Sequence, residues 1–139
     1  MPVTRFQKVT LCISGVTALG IGLSILGVPN AFYASYGISL GNDVNLLSEL
    51  RAPAAGLVAL GAIMLVGIVR EAWSQISMVA ALTVFLAFPV GRIIGLIVDG
   101  APSGGIIGAL CIELLIATLC LAAFGRRATV TADASYTQA

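Results

Sequence analysis

The chain has 139 residues, of which 59% are hydrophobic and only 9% are charged, and its formal net charge is +1. A soluble domain of this size exposes a large surface and carries about a quarter charged residues, so this composition excludes an ordinary water-soluble protein and indicates a membrane protein. The sequence contains no histidine and no basic tract, so we expect no metal site, no cofactor and no nucleic-acid partner.

Four long apolar runs follow one another along the chain. Each is close to the length of about 20 residues that crosses the hydrocarbon core of a bilayer. Backbone groups have no water to bond in lipid, so these runs must be helices. The sequence therefore predicts an all-α fold, in which residues 1–127 form a single four-helix transmembrane bundle and residues 128–139 form a disordered cytoplasmic tail. The runs cover about residues 9–28, 52–69, 76–98 and 106–124.

The loop after the first run carries signals for a short helix of its own. Pro29 suits a first helical turn and Gly37 suits the position just after a helix end. Aromatic side chains between them favour a helix that lies at the membrane interface, and they are Phe32, Tyr33 and Tyr36. Asp43 or Asn42 can then cap the next helix, which we expect to begin near Val44.

Positive charge is concentrated at one end of the predicted bundle, and this sets its orientation. Cytoplasmic loops carry an excess of lysine and arginine, and only Arg51 lies near the opposite helix ends. We therefore expect a multi-pass protein of the bacterial cytoplasmic (inner) membrane, with both termini in the cytoplasm. The residues at the cytoplasmic end are Arg5, Lys8, Arg70, Arg126 and Arg127.

Glycines are the expected packing positions, because lipid supplies no hydrophobic force between helices and small residues allow close approach. The favoured interpretation is packing within the chain, and a dimer face is the alternative. The first two helices offer Gly15, Gly20, Gly22 and Gly61. The other predicted helix-packing residues are Gly56, Gly91, Gly95, Gly104 and Gly108.

Charged residues inside the predicted spans point to a polar site. Arg92 and Glu113 lie at similar depth on the third and fourth helices, which a tight turn joins, so we expect them to form an ion pair. Glu49, Arg51 and Asp99 lie near the same outer end. We predict that all five side chains form one cluster with an excess of carboxylates. This cluster should line an outward-facing pocket between the second, third and fourth helices that Leu, Ile and Ala close on the cytoplasmic side.

Several short motifs occur in a distinctive order. The second helix opens with NLLSELRAPAAG, the third closes with GRIIGLIVDGAPS, a glutamate lies inside the fourth, and FYASYGI follows the first. Over about residues 5–125 this order resembles the bacterial membrane family catalogued as domain of unknown function 4345. The resemblance implies a four-helix membrane protein without an established activity. Its motif positions here are Asn45, Glu49, Arg51, Ala52, Gly56, Gly91, Arg92, Asp99 and Glu113.

One departure from that family lies just after the Arg-Ala pair. The family often has an aromatic residue and paired glycines there, whereas this chain has the sequence Pro53-Ala54-Ala55-Gly56. We therefore expect a different backbone approach at this point.

Three hypotheses about function follow from the charged cluster. The first is a non-enzymatic membrane protein whose cluster binds a small ligand or a lipid headgroup. The second is a small transporter or proton-coupled carrier that uses Glu113, and the third is a purely structural charge network in a membrane scaffold or accessory subunit. An enzyme is not expected, because no pairing of nucleophile and base is visible. Membrane lipids are the expected partners, together with envelope proteins or a second copy of the chain.

Overall fold

The computed structural model describes the backbone of residues 3–136 and the side chains of residues 3–125, and that part of the chain contains helices and no strands. A 3-10 turn at Glu71–Trp73 joins the third and fourth helices. Four of the five helices contain segments long and apolar enough to cross a membrane, so the predicted all-α, four-helix architecture is confirmed. The helices are α1 (Arg5–Gly27), α2 (Pro29–Ala34), α3 (Val44–Val69), α4 (Ser74–Val98) and α5 (Gly104–Tyr136).

Side chains at the helix starts define where the helices begin. Thr4 forms a capping box with Gln7 at the start of α1. The Asp43 carboxylate accepts hydrogen bonds from the backbone N–H groups of residues 45 and 46, so α3 begins at Val44 as predicted. The short helix predicted in the first loop is α2, which starts at Pro29 and is followed by a turn at Gly37, where φ is +78°.

The four long helices run up and down around one axis. α1 packs on α3, α3 on α4, α4 on α5, and α5 returns to α1, so α3 and α5 lie on opposite sides of the bundle. One end of the bundle, which we call the terminal end, carries Thr4 and the turn at residues 70–73. The opposite end, which we call the loop end, carries α2 and the α4–α5 turn at residues 99–103.

The core is packed most tightly in the terminal half of the bundle. Leu11 of α1, Met64 of α3 and Phe124 of α5 are almost fully buried there. The buried Gln7 side chain donates to the carbonyl oxygen of Ala123 at 2.8 Å, which ties α1 to α5. Interhelical hydrogen bonds of this kind stabilise helices that share an apolar surrounding.

Close helix contact in the terminal half depends on glycine. A Cβ atom on Gly61 of α3 would lie 2.7 Å from the backbone nitrogen of Leu19 and 3.0 Å from the carbonyl oxygen of Gly15, both in α1. A Cβ on Gly67 would collide with the side chain of Ser77 in α4. These glycines let the backbones approach closely, as expected for helices in lipid.

Of the glycines predicted to pack the helices, Gly15, Gly22 and Gly61 lie in close contact with a neighbouring helix, but the other six do not. A Cβ would meet no neighbour within 4 Å at five of these six positions, and at the sixth it would meet only the Asp99 carboxylate of the same helix. The prediction chose glycines by spacing alone, and spacing does not fix the rotation of a helix that is apolar on every side. The six predicted positions that make no close contact with another helix are Gly20, Gly56, Gly91, Gly95, Gly104 and Gly108.

The last helix is longer than the apolar run that it contains. The backbone of α5 is helical as far as Tyr136, whereas the apolar run was expected to end near Phe124. Side chains are described only as far as Gly125. The predicted disordered tail at 128–139 therefore lies outside the residues whose side chains are described, and it stays a prediction.

Candidate functional site

A cavity of about 330 Å³ occupies the loop half of the bundle. All four long helices contribute to its wall, and the segment that begins at Phe32 in α2 and continues to Ile38 closes part of it. Most of the lining is aliphatic or aromatic, and the residues with polar side-chain groups are Thr17, Tyr33, Tyr36, Arg92 and Glu113. The cavity therefore combines an apolar interior with a small number of polar groups, which is the usual composition of a small-molecule site.

The charged part of the wall is the ion pair that the sequence predicts. The Arg92 Nε atom of α4 donates to both carboxylate oxygens of Glu113 in α5, at 2.9 Å to Oε2 and 3.1 Å to Oε1. The Glu113 side chain is only 9% exposed and the Arg92 side chain is 33% exposed. Each charge is thus neutralised by the other inside the bundle, which avoids the cost of an isolated charge in lipid.

Neighbouring turns of two helices bring the pair together. Phe85, Phe88 and Arg92 follow one stripe of α4, and all three line the cavity. Ala109 and Glu113 are four residues apart and lie on the facing stripe of α5. Because the α4–α5 turn makes these helices antiparallel, the Arg92 and Glu113 side chains meet at the same depth.

Two tyrosines lie at the loop end of the cavity. Tyr33 and Tyr36 both line it and surround Phe32, whose ring lies edge-on to each of theirs at a centroid distance of 5.3 Å. Ser103 donates from its hydroxyl to the carbonyl oxygen of Tyr36 at 2.7 Å, and a Cβ on Gly105 would lie 3.1 Å from the Tyr36 ring. These contacts hold the segment containing α2 against the start of α5.

The Tyr33 hydroxyl stays protonated at neutral pH. Burial raises the pKa of Tyr33 above its ordinary value of 10.0, the Arg92 charge opposes this rise, and Tyr36 adds to it. α2 lies outside the four spanning helices. The phenol is therefore available as a hydrogen-bond donor beside the ion pair.

The other three members of the predicted cluster do not line the cavity. Glu49, Arg51 and Asp99 are exposed, so the expected group of five charges with a carboxylate excess is wrong. Arg51 instead donates from Nε to the carbonyl oxygen of Leu26, near the end of α1, at 3.3 Å. The last carbonyls of a helix lack partners within it, and this contact satisfies one of them.

The geometry of α3 explains why the cluster does not form. Its first residues extend along the loop end of the bundle, where Val44 is 77% exposed, and its buried stripe begins at Ala54. Asp99 follows the last turn of α4 and lies in solvent rather than beside Arg92. Charges at helix ends reach water, so they have no need to pair inside the bundle.

The cavity matches the predicted pocket only in part, because its wall differs from the predicted one. Arg92 and Glu113 line it as expected, and the core that includes Leu11, Met64 and Phe124 fills the terminal half beyond it. The sequence reasoning assigned the pocket to three helices and missed the contributions of α1 and α2. The tyrosines of the first loop were a usable signal, whereas the lining positions of α1 lie in an evenly apolar run.

Comparison with known proteins gives a family and no activity. No curated protein and no solved structure matches the chain significantly. Residues 6–124 match the sequence model of a family described as a domain of unknown function, DUF4345, and the match covers well over half of the chain and includes both residues of the ion pair. The chain therefore belongs to the DUF4345 family, as the order of its motifs predicts.

Proposed function

We propose that this chain is a non-enzymatic protein of a bacterial cytoplasmic membrane that holds a small lipid-like ligand in the cavity of its loop half. The observation that carries the proposal is the cavity itself, an apolar space of about 330 Å³ with the Arg92–Glu113 pair in its wall. A chain that used this pair only to fix helix register would have no need of an open space beside it.

The size of the cavity suits part of a lipid or a medium-length alkyl chain. Ligand cavities range from about 300 to 1,000 Å³, so this one is near the lower limit. Two wall residues, Phe88 and Ile112, remain 43% and 56% exposed, which gives a ligand access from the surrounding membrane.

The charge distribution supports an orientation with the cavity facing out of the cell. Arg5, Lys8 and Arg70 lie at the terminal end. The loop half contains Arg51 and the paired Arg92. The positive-inside rule then places both termini in the cytoplasm and α2 at the outer surface. The ligand would enter from the outer leaflet or from the outer face.

Mass spectrometry of the intact protein tests the proposal. The full chain, extracted gently from its membrane, should retain a small hydrophobic molecule, and Ala109→Phe should abolish retention because the added ring fills the cavity. Ala122→Phe is the matched control, since Ala122 is an exposed residue of the same helix outside the cavity. Equal retention in both variants, or an empty wild-type chain with this cavity intact, would contradict the proposal.

The structural hypothesis is the second candidate, and the direct ion pair favours it. Arg92 and Glu113 already satisfy each other at 2.9 Å, and such a pair can fix how two helices meet without binding a ligand. It predicts an empty wild-type chain in the same measurement. The carrier hypothesis gains no support, because the packed core around Leu11 and Met64 lies between the cavity and the terminal end.

A further inference from the structure

We propose that the ligand of this cavity is an uncharged amphiphile whose polar head accepts hydrogen bonds. This inference rests on the proposed function and adds the chemical class of the ligand to it. The proposal follows from three features of the cavity wall: its formal charges cancel, some of its hydrogen-bond donors have no partner among the described residues, and most of its lining is apolar.

The formal charges in the cavity wall cancel each other. Among the described residues that line the cavity, Arg92 and Glu113 alone carry a formal charge, and they form a direct pair. The wall is therefore neutral as a whole. A ligand that brought its own charge would add an uncompensated charge to an apolar space, and such burial is costly.

The cavity wall also offers hydrogen-bond donors that have no partner among the described residues. Arg92 donates to Glu113 only from Nε, and its two terminal nitrogens donate to no residue within the described part of the chain. The hydroxyls of Tyr33 and Tyr36 likewise have no hydrogen-bond partner among the described residues. The Glu113 carboxylate, the strongest side-chain acceptor of the wall, already accepts from the Arg92 Nε atom. The free side-chain groups thus favour a head that accepts hydrogen bonds.

Electrostatic repulsion disfavours a charged head of either sign. An anionic head bound to the free guanidinium nitrogens would lie beside the Glu113 carboxylate, and like charges at this distance repel each other. A cationic head would face the positive guanidinium and the donor hydroxyls of Tyr33 and Tyr36. A neutral head with oxygen acceptors, such as an ester, a ketone or a sulfone, meets neither obstacle.

A matched pair of dodecyl compounds tests the inference. Dodecyl methyl sulfone and dodecanesulfonate have nearly the same shape, but the sulfone carries a methyl group where the sulfonate carries a charged oxygen. Each compound is added as a competitor while a diazirine-labelled dodecyl methyl sulfone is photocrosslinked to the full chain in lipid nanodiscs. We expect the sulfone to compete at least about tenfold better than the sulfonate, and better than dodecyltrimethylammonium by a similar factor.

Variants link the selectivity to the named donors. Arg92→Leu combined with Glu113→Leu keeps the net charge but removes the guanidinium, so the competed crosslinking should fall about tenfold. Tyr33→Phe should weaken it to a lesser extent. Glu49→Leu combined with Arg51→Leu is the matched control, because it removes the same two charge types from exposed positions outside the cavity and should change nothing.

The possible outcomes separate this inference from the proposed function. If the sulfonate or the ammonium compound competes as well as the sulfone, the cavity binds ligands but the assignment of an uncharged head is wrong. Crosslinking that none of the three compounds displaces would also overturn it. Failure of the proposed function has a different signature, namely a wild-type chain that retains no ligand in the mass spectrum.

Discussion

Removing one partner of the Arg92–Glu113 pair should destabilise the bundle unequally, depending on which charge is left behind. Leucine fills a similar volume at either position, so the substitutions change mainly the charge. Arg92→Leu leaves the carboxylate of a side chain that is only 9% exposed, whereas Glu113→Leu leaves a guanidinium on a side chain that is 33% exposed. The stranded carboxylate has less access to water, so Arg92→Leu should be the more harmful change.

The magnitudes follow from the burial of the pair. Breaking a fully buried pair costs about 3–5 kcal/mol. Because Arg92 is partly exposed, we expect the cost of Arg92→Leu to be at the lower end of this range, about 3 kcal/mol. Glu113→Leu should cost about 1 kcal/mol, because the arginine stem can extend to carry its charge toward water. The double variant leaves no stranded charge and should cost no more than about 1 kcal/mol, so the coupling free energy is about 3 kcal/mol.

Equilibrium unfolding in mixed detergent micelles, followed by circular dichroism, measures these free energies. The Glu49→Leu and Arg51→Leu cycle serves as the control, and it should be additive within about 0.5 kcal/mol because both residues are exposed and two positions apart on a helix. The reasoning is refuted if the Arg92 and Glu113 cycle is equally additive. A larger loss for Glu113→Leu than for Arg92→Leu would refute the argument from burial.

Three further predictions concern packing, ionisation and orientation. Gly61→Ala should lower the free energy of unfolding by about 1–3 kcal/mol, because its Cβ would meet the α1 backbone. Gly56→Ala should raise that free energy by up to about 1 kcal/mol, because alanine has the higher helix propensity and its Cβ would meet no neighbour. Similar effects at both sites would contradict the described helix packing. In an ultraviolet pH titration, the wild-type chain should show a phenol that ionises with a pKa above 10.0, because burial raises the pKa of Tyr33. Tyr33→Phe should remove this component of the titration curve. An unchanged curve in the variant would show that Tyr33 is not the group with the raised pKa. A periplasmic reporter inserted near Asn42 should be active and one fused to the C-terminus inactive, and the reverse pattern would overturn the orientation.

The four long helices, the short helix in the first loop and the start of α3 could be predicted because their signals are local. Apolar runs of spanning length, Pro29 at a helix start and the Asp43 cap each depend on residues close together in the chain. The Arg92–Glu113 pair could also be predicted, since two charges at equal depth on antiparallel neighbours have few other ways to avoid lipid.

The rotation of each helix about its axis could not be predicted. In a soluble protein the polar face marks the outside, but in a membrane the lipid-facing and core-facing sides are both apolar. Gly56 and Gly61 lie on the same helix and look equivalent in the sequence, yet only Gly61 touches α1. The same ambiguity hid the role of α1 in the cavity wall. Arg51 was placed in the charged cluster because nothing in the sequence shows that it caps the end of α1.

The central claim is that the cavity beside the ion pair holds a lipid-like ligand. An experimental density map of the full chain in native-lipid nanodiscs tests it most directly. The account predicts non-protein density that fills the cavity, with its polar end within hydrogen-bond distance of the terminal nitrogens of Arg92. A map in which the helices close on each other, so that Arg92 and Glu113 remain paired and no space is left beside them, would contradict it.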